Sequence, residues 1–206
     1  MGHQRPSKTK TKKHSNYYPN IYYSNPNNRL LYLKRNTMSY FQKFKGLSEP
    51  LPPSPSLKQV SFVWLGAFLA AATVGFLAHF TKQPLVLGSF GASIFVLFIL
   101  PDTPFAQPRN VIGGHFISTL VGLVFLHLIS PDWWSMALSL ATALSLMQLL
   151  NVQHPPAGSN PFIVFLVGAN WEFLFMPTLL GAILLVLVAL LYNNISKDRS
   201  FPKYWM

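Results

Sequence analysis

Residues 59–80, QVSFVWLGAFLAAATVGFLAHF, run for 22 positions without an Asp, Glu, Lys or Arg. As a helix rising 1.5 Å per residue such a stretch covers about 33 Å, enough to cross the hydrocarbon of a bilayer. Backbone polar groups in hydrocarbon must be satisfied within the protein, and a helix does this within its own segment. The run reads as a full span, and the fold expected is an all-α membrane protein.

Three more stretches read as full spans: 110–130, 133–150 and 176–192. Two others are short or interrupted. PLVLGSFGASIFVLFIL (84–100) is broken by Gly88, Ser89, Gly91 and Ser93, and FIVFLVG (162–168) follows the helix-breaking NVQHPPAGSNP (151–161). The architecture expected is therefore four full transmembrane helices and two short, broken segments. Gly88-Ser89 and Gly158-Ser159 are 70 residues apart, as are Trp64 and Trp134, while VIGG (111–114) and LLGA (179–182) are 68 apart. This spacing predicts a 3+3 inverted repeat, the arrangement in which broken helices of two halves meet at a mid-membrane binding site.

Charge divides sharply along the chain. Residues 1–58 hold eleven Lys/Arg and one acid, giving +10, and residues 59–206 hold five and four, giving +1. Residues 1–37 read as a disordered basic tail, 38–58 as a proline-rich juxtamembrane segment, 59–196 as the transmembrane domain and 197–206 as a C-terminal tail. A cationic tail beside a lipid membrane fits this composition better than a nucleic-acid arm. With six crossings, Lys43, Lys45, Lys58, Arg109, Lys197, Arg199 and Lys203 fall on one side, which makes both termini inner. Lys82, Asp132, Glu172 and the interfacial Trp133, Trp134 and Trp171 fall on the other.

In NVQHPPAGSNP the prolines predict extended backbone reaching mid-membrane, with a helix starting at Pro161 capped by Ser159 or Asn160. The other half-helix is expected to start near Gly91. Two helix N-termini would then meet, and their N–H groups and dipoles would suit a small inorganic anion. The substrate-binding candidates are Gly88, Ser89, Gly91, Arg109, His115, His154, Gly158, Ser159 and Asn160. His154 either supplies a switchable charge or hydrogen-bonds a backbone carbonyl. His115 faces the same centre, His79 and His127 are interfacial, and Arg109 is an inner anchor or part of an anion-attracting vestibule. The chain has no cysteine, and its histidines lack metal-motif spacing, so neither metal nor cofactor is expected. Asp102, Asp132 and Glu172 lie in separate loops, which argues against an enzyme.

GSFGAS (88–93), PDTPFAQPRNVIGGH (101–115), the His154-Pro155-Pro156 segment and LVALLYNN (187–194) together resemble the HPP family of integral membrane proteins over about residues 38–198. That resemblance implies four membrane-spanning helices and a transporter, with nitrite the leading anion, in a bacterial plasma membrane or a plastid-type membrane. The sequence departs from the family expectation of small apolar residues at Asn160 and Pro161. The alternative function is a non-transporting membrane scaffold or sensor that recruits a partner through the basic tail.

Overall fold

The computed structural model describes residues 53–81 and 87–205. The basic tail, most of the juxtamembrane segment, Lys82 and the start of the 84–100 segment lie outside the described residues. Those described contain six α-helices and no strand: α1 (Leu57–Thr81), α2 (Gly88–Ile99), α3 (Pro108–Leu128), α4 (Trp133–Leu149), α5 (Asn160–Val167) and α6 (Leu180–Asn193). Turns of 3-10 helix precede α3 (Pro104–Ala106) and α5 (Pro155–Ser159), and a kinked stretch, Trp171–Leu179, leads into α6.

Three stretches are long and apolar enough to cross a bilayer, Leu57–Phe80, Pro108–Leu128 and Trp171–Asn193. The fourth full span expected, 133–150, is shorter than that. α4 has 17 residues, about 25 Å at 1.5 Å per residue. It ends in a turn at Asn151, whose φ of 54° is the left-handed conformation that stops helices. The two broken segments do give short helices, α2 of 12 residues and α5 of 8. α2 begins at Gly88, one turn earlier than expected.

Side-chain bonds sort the helix ends into two groups. Asn193 donates to the Leu97 carbonyl, Arg199 to the Phe98 carbonyl and Arg109 to the Leu150 carbonyl. Tyr192 donates to the Phe62 carbonyl. These bonds gather the start of α1, the ends of α2, α4 and α6, and the start of α3 at one end of the bundle. At the other end His127 Nε2 donates to the Ala169 carbonyl and stacks on Trp171, while Ser135 contacts the Phe125 carbonyl.

Packing follows small residues. A Cβ on Gly66 would meet Phe98 at 2.6 Å and Tyr192 at 2.7 Å, so only glycine lets α1 approach α2 and α6 this closely. α1 packs on α6 and α2, and α4 on α3 and α5. Small residues at helix contacts are what membrane bundles rely on, because lipid leaves little hydrophobic drive between helices. The outward faces carry Trp64, Phe68, Phe76, Phe80 and Trp133, all exposed. Such apolar exposure suits a molecule surrounded by acyl chains.

Candidate functional site

The interior between α2, α3 and α5 is polar. Ser93, His115, Ser118, Thr119, His154, Asn160 and Thr178 are all fully buried. Each arrives by a separate local cause. Ser93 stands one turn beyond Ser89 on α2. His115 and Thr119 are four apart on α3 and so share a face. Asn160 opens α5. His154 sits on the chain just before the two prolines, which is pressed against α3 at a glycine pair. A Cβ on Gly114 would lie 2.7 Å from His154 Cβ and 3.0 Å from the Val152 carbonyl, and one on Gly113 would lie 2.9 Å from Val152 Cγ1. Asn110 Nδ2 holds the Gln153 carbonyl at 3.0 Å, and Ser118 Oγ holds the Ala157 carbonyl at 2.6 Å.

Ser93 Oγ is the hub, 2.8 Å from Nε2 of both His115 and His154. His154 Nδ1 lies 2.7 Å from the Phe105 carbonyl, and Asn160 Nδ2 lies 3.0 Å from His115 Nδ1 and 2.8 Å from Thr119 Oγ1. Thr119 in turn reaches Thr178 Oγ1 at 3.4 Å. The imidazole centroids are 5.0 Å apart, and the Phe90 ring meets His115 edge-on.

The protons of the neutral network follow from its partners. A carbonyl only accepts, so His154 Nδ1 carries its hydrogen and Nε2 is bare. The bare nitrogen takes the Ser93 hydroxyl proton, in preference to the Ser89 carbonyl at 3.2 Å. Ser93 has no second proton, so His115 Nε2–H must donate to it. That leaves His115 Nδ1 bare and facing the Asn160 amide N–H. All the bonds from Asn160 through His115, Ser93 and His154 to Phe105 therefore point one way.

Of the residues expected to bind, the structure links His115 and His154 through Ser93, and Asn160 bonds His115 directly. Ser89 is buried beside them, its carbonyl touching Ser93. Arg109 is exposed and bonds the Leu150 carbonyl at the bundle end, away from the histidines. Gly88 and Gly91 lie on α2 with open space where a Cβ would be; Gly158 is buried, 3.3 Å from Leu144 by the same measure.

Three local expectations are corrected. The segment is not extended up to Pro161, because Pro155 starts a 3-10 turn whose preset φ suits a helical first position. Ser159 does not cap α5; it already has helical angles (φ −80°, ψ −10°), and its exposed hydroxyl turns back to the Pro156 carbonyl. Asn160 uses its amide on His115 and Thr119 instead. The turn also offers few donors at its start, since the two prolines have no N–H and Ala157 N–H is taken by the His154 carbonyl. This half of the site therefore contributes side chains more than free backbone N–H groups.

Ser93, Ser118, Thr119 and Thr178 are the polar residues of this interior that sequence reasoning left out. The signal available was spacing: Ser89/Ser93 and His115/Thr119 are both i, i+4 pairs on one helix face. Three buried polar atoms have no partner among the described residues, namely Ser89 Oγ, Asn110 Oδ1 and Asn160 Oδ1.

Residues 52–202 match the family described as HPP, transmembrane region. Two proteins of Dictyostelium discoideum, each described only as a transmembrane protein, are 36% and 30% identical to the chain over 190 residues. The alignments cover 85% and 86% of this chain and 66% and 61% of those proteins. No solved structure matches the chain. This multi-pass integral membrane protein therefore belongs to the HPP transmembrane-region family.

Proposed function

We infer that this protein transports a small inorganic anion, nitrite being the leading candidate, through a site near mid-membrane between α2 and α5. The observation that carries this reading is the fully buried His154–Ser93–His115–Asn160 network joining two short helices. Ionisable residues in the interior of a membrane domain are costly and mark substrate or ion pathways by default. In this reading α2 supplies its N-terminal turn at Gly88 and Ser89, and α5 supplies Asn160 with the preceding His154.

A 3+3 inverted repeat accounts for the packing. Exchanging α1, α2 and α3 with α4, α5 and α6 turns the α1/α6 contact into α4/α3, α1/α2 into α4/α5, and α2/α6 into α5/α3, all of which occur. The repeat relates helices more closely than residues, since Ser89 is buried while Ser159 is exposed. Both termini on the inner side remain the orientation favoured by the Lys and Arg positions.

The test is flux of nitrite into proteoliposomes, against protein-free vesicles. Protein-dependent uptake that falls at least tenfold in His154→Ala, with the variant still monodisperse and inserted, is the expected result. Absence of any protein-dependent anion flux would refute transport and favour the scaffold reading.

A further inference from the structure

The network's proton arrangement also limits the form in which a substrate can be held. In its neutral state every hydrogen of the two imidazoles and of Ser93 is committed, as are both N–H groups of Asn160. The polar atoms with no partner at all among the described residues are Asn160 Oδ1, Asn110 Oδ1 and Ser89 Oγ, all buried. Asn110 Nδ2 bonds a backbone carbonyl, which fixes its other terminus as oxygen. The tautomer chain fixes Asn160 in the same way.

Two of the three free groups are therefore amide oxygens, which can only accept, and the third is a hydroxyl. A bare anion also only accepts, so it satisfies neither oxygen. A protonated oxyacid presents an O–H to one amide oxygen and a bare oxygen to the Ser89 hydroxyl or the first N–H groups of α2. Ser89 and Asn160 each lie within one contact of the Ser93–His115 pair, Ser89 through its carbonyl to Ser93 and Asn160 through its amide to His115.

Little else there can trade protons. α2, α4, α5 and α6 contain no Asp, Glu, Lys or Arg, and α3 has only Arg109, exposed in its first turn. Tyr192, on α6, is committed to the Phe62 carbonyl. From the 104–106 turn comes the Phe105 carbonyl, and from the 175–179 stretch Thr178, neither of which titrates. The two histidines are the titratable groups of the cluster.

We propose that the site holds its substrate together with one proton, as the conjugate acid of a small weak-acid oxyanion, and that movement through it is electroneutral. This rests on the transport reading of the same site. If His115 or His154 takes the proton from the bound acid, the pair becomes imidazolium and anion, and the count of one substrate and one proton is unchanged. The substrates selected are anions of weak acids, such as nitrite and formate. Nitrate and chloride are excluded, because their conjugate acids are strong and give up the proton even to water.

The test separates binding from flux. Purified protein in detergent, in weakly buffered solution near neutral pH, is titrated with sodium nitrite, formate, nitrate and chloride while bound ligand and proton uptake are both measured. The expected result is one proton taken up per nitrite or formate bound and no competition by nitrate. Ser89→Ala removes a hydroxyl that bonds no described protein group, and is expected to weaken nitrite binding about three- to tenfold; Asn160→Leu should weaken it further. Nitrite bound without proton uptake, nitrate bound as tightly as nitrite, or no binding of any of the four overturns the proposal. Binding with proton uptake but no protein-dependent flux in vesicles supports the holding of substrate with one proton, and refutes the transport reading and with it the electroneutral movement. Protein-dependent nitrate or chloride current without proton movement does the reverse.

Discussion

Ser93→Ala is the substitution that most directly tests the network. It deletes one oxygen and two hydrogen bonds of 2.8 Å, and leaves a donor on His115 and an acceptor on His154 with nothing between them. Side-chain hydrogen bonds inside membrane proteins average about 0.6 kcal/mol and reach about 1.7, because the unfolded chain in lipid also finds partners. Two such bonds give about 1 to 3 kcal/mol. A stranded buried group can cost about 1–3 kcal/mol by itself, so relief by rearrangement decides where in this range the value falls. The imidazole centroids are only 5.0 Å apart, yet turning the rings towards one another would sacrifice the Phe105 or Asn160 bond. We expect a loss of about 2 kcal/mol. Reversible unfolding in mixed detergent micelles, followed by tryptophan fluorescence, measures it. The control is Ser145→Ala on the exposed face of α4, whose hydroxyl bonds only the Ala141 carbonyl of its own helix and whose loss should stay within about 0.5 kcal/mol. A Ser93→Ala protein no less stable than that control would show that Ser93 does not join the two histidines.

The two rings should be opposite tautomers, His154 protonated at Nδ1 and His115 at Nε2; nitrogen chemical shifts of labelled protein near neutral pH check this, and identical tautomers contradict the assigned bond directions. Gly114→Ala places a methyl 2.7 Å from His154 Cβ and should destabilise by about 1–3 kcal/mol, whereas Gly75→Ala, with nothing within 4 Å, should be neutral or stabilising by up to about 1 kcal/mol. The same unfolding assay reads both, and equal effects would disprove the close approach of the HPP segment to α3. Arg199→Ala removes bonds to the Phe98 carbonyl and Asn193 Oδ1 and a cation–π contact with Phe62, for an expected loss of about 2 kcal/mol. Lys203→Ala breaks only an exposed ion pair with Asp102 and should cost under about 1 kcal/mol, vanishing in 1 M salt.

How much of this was legible in the sequence depended on whether a signal was local. Apolar runs without charge announced helices in lipid, and Gly88, Ser89, Pro155 and Pro156 marked the interrupted segments, because run length and helix breaking are properties of neighbouring residues. The reach of α4 was overestimated by one residue, since the span expected at 133–150 ends as a helix at Leu149 and hydropathy alone does not register the turn that follows. His154 and His115 stood out as ionisable residues in apolar surroundings. Ser93 did not, although it is the hub, since a serine in an apolar helix is ordinarily a packing residue and its two partners lie 22 and 61 positions away. The cap expected at Ser159 failed for a related reason: the prolines start the helical turn earlier, so the capping position moves to His154, whose side chain is engaged elsewhere.

The loop that receives His154 is itself held from far along the chain. Gln107 Nε2 ties the Pro101 and Thr103 carbonyls, shaping the loop around Phe105, and its Oε1 accepts the backbone N–H of Lys203. Arg199 and the buried Phe201 fasten the same segment. During synthesis the histidines and Ser93 are made long before residues 199–203, so the centre is assembled first and clamped by the part of the chain that leaves the ribosome after it. A chain stopped at Asn194 would possess every polar residue of the network and still lack the clamp that steadies its terminal acceptor.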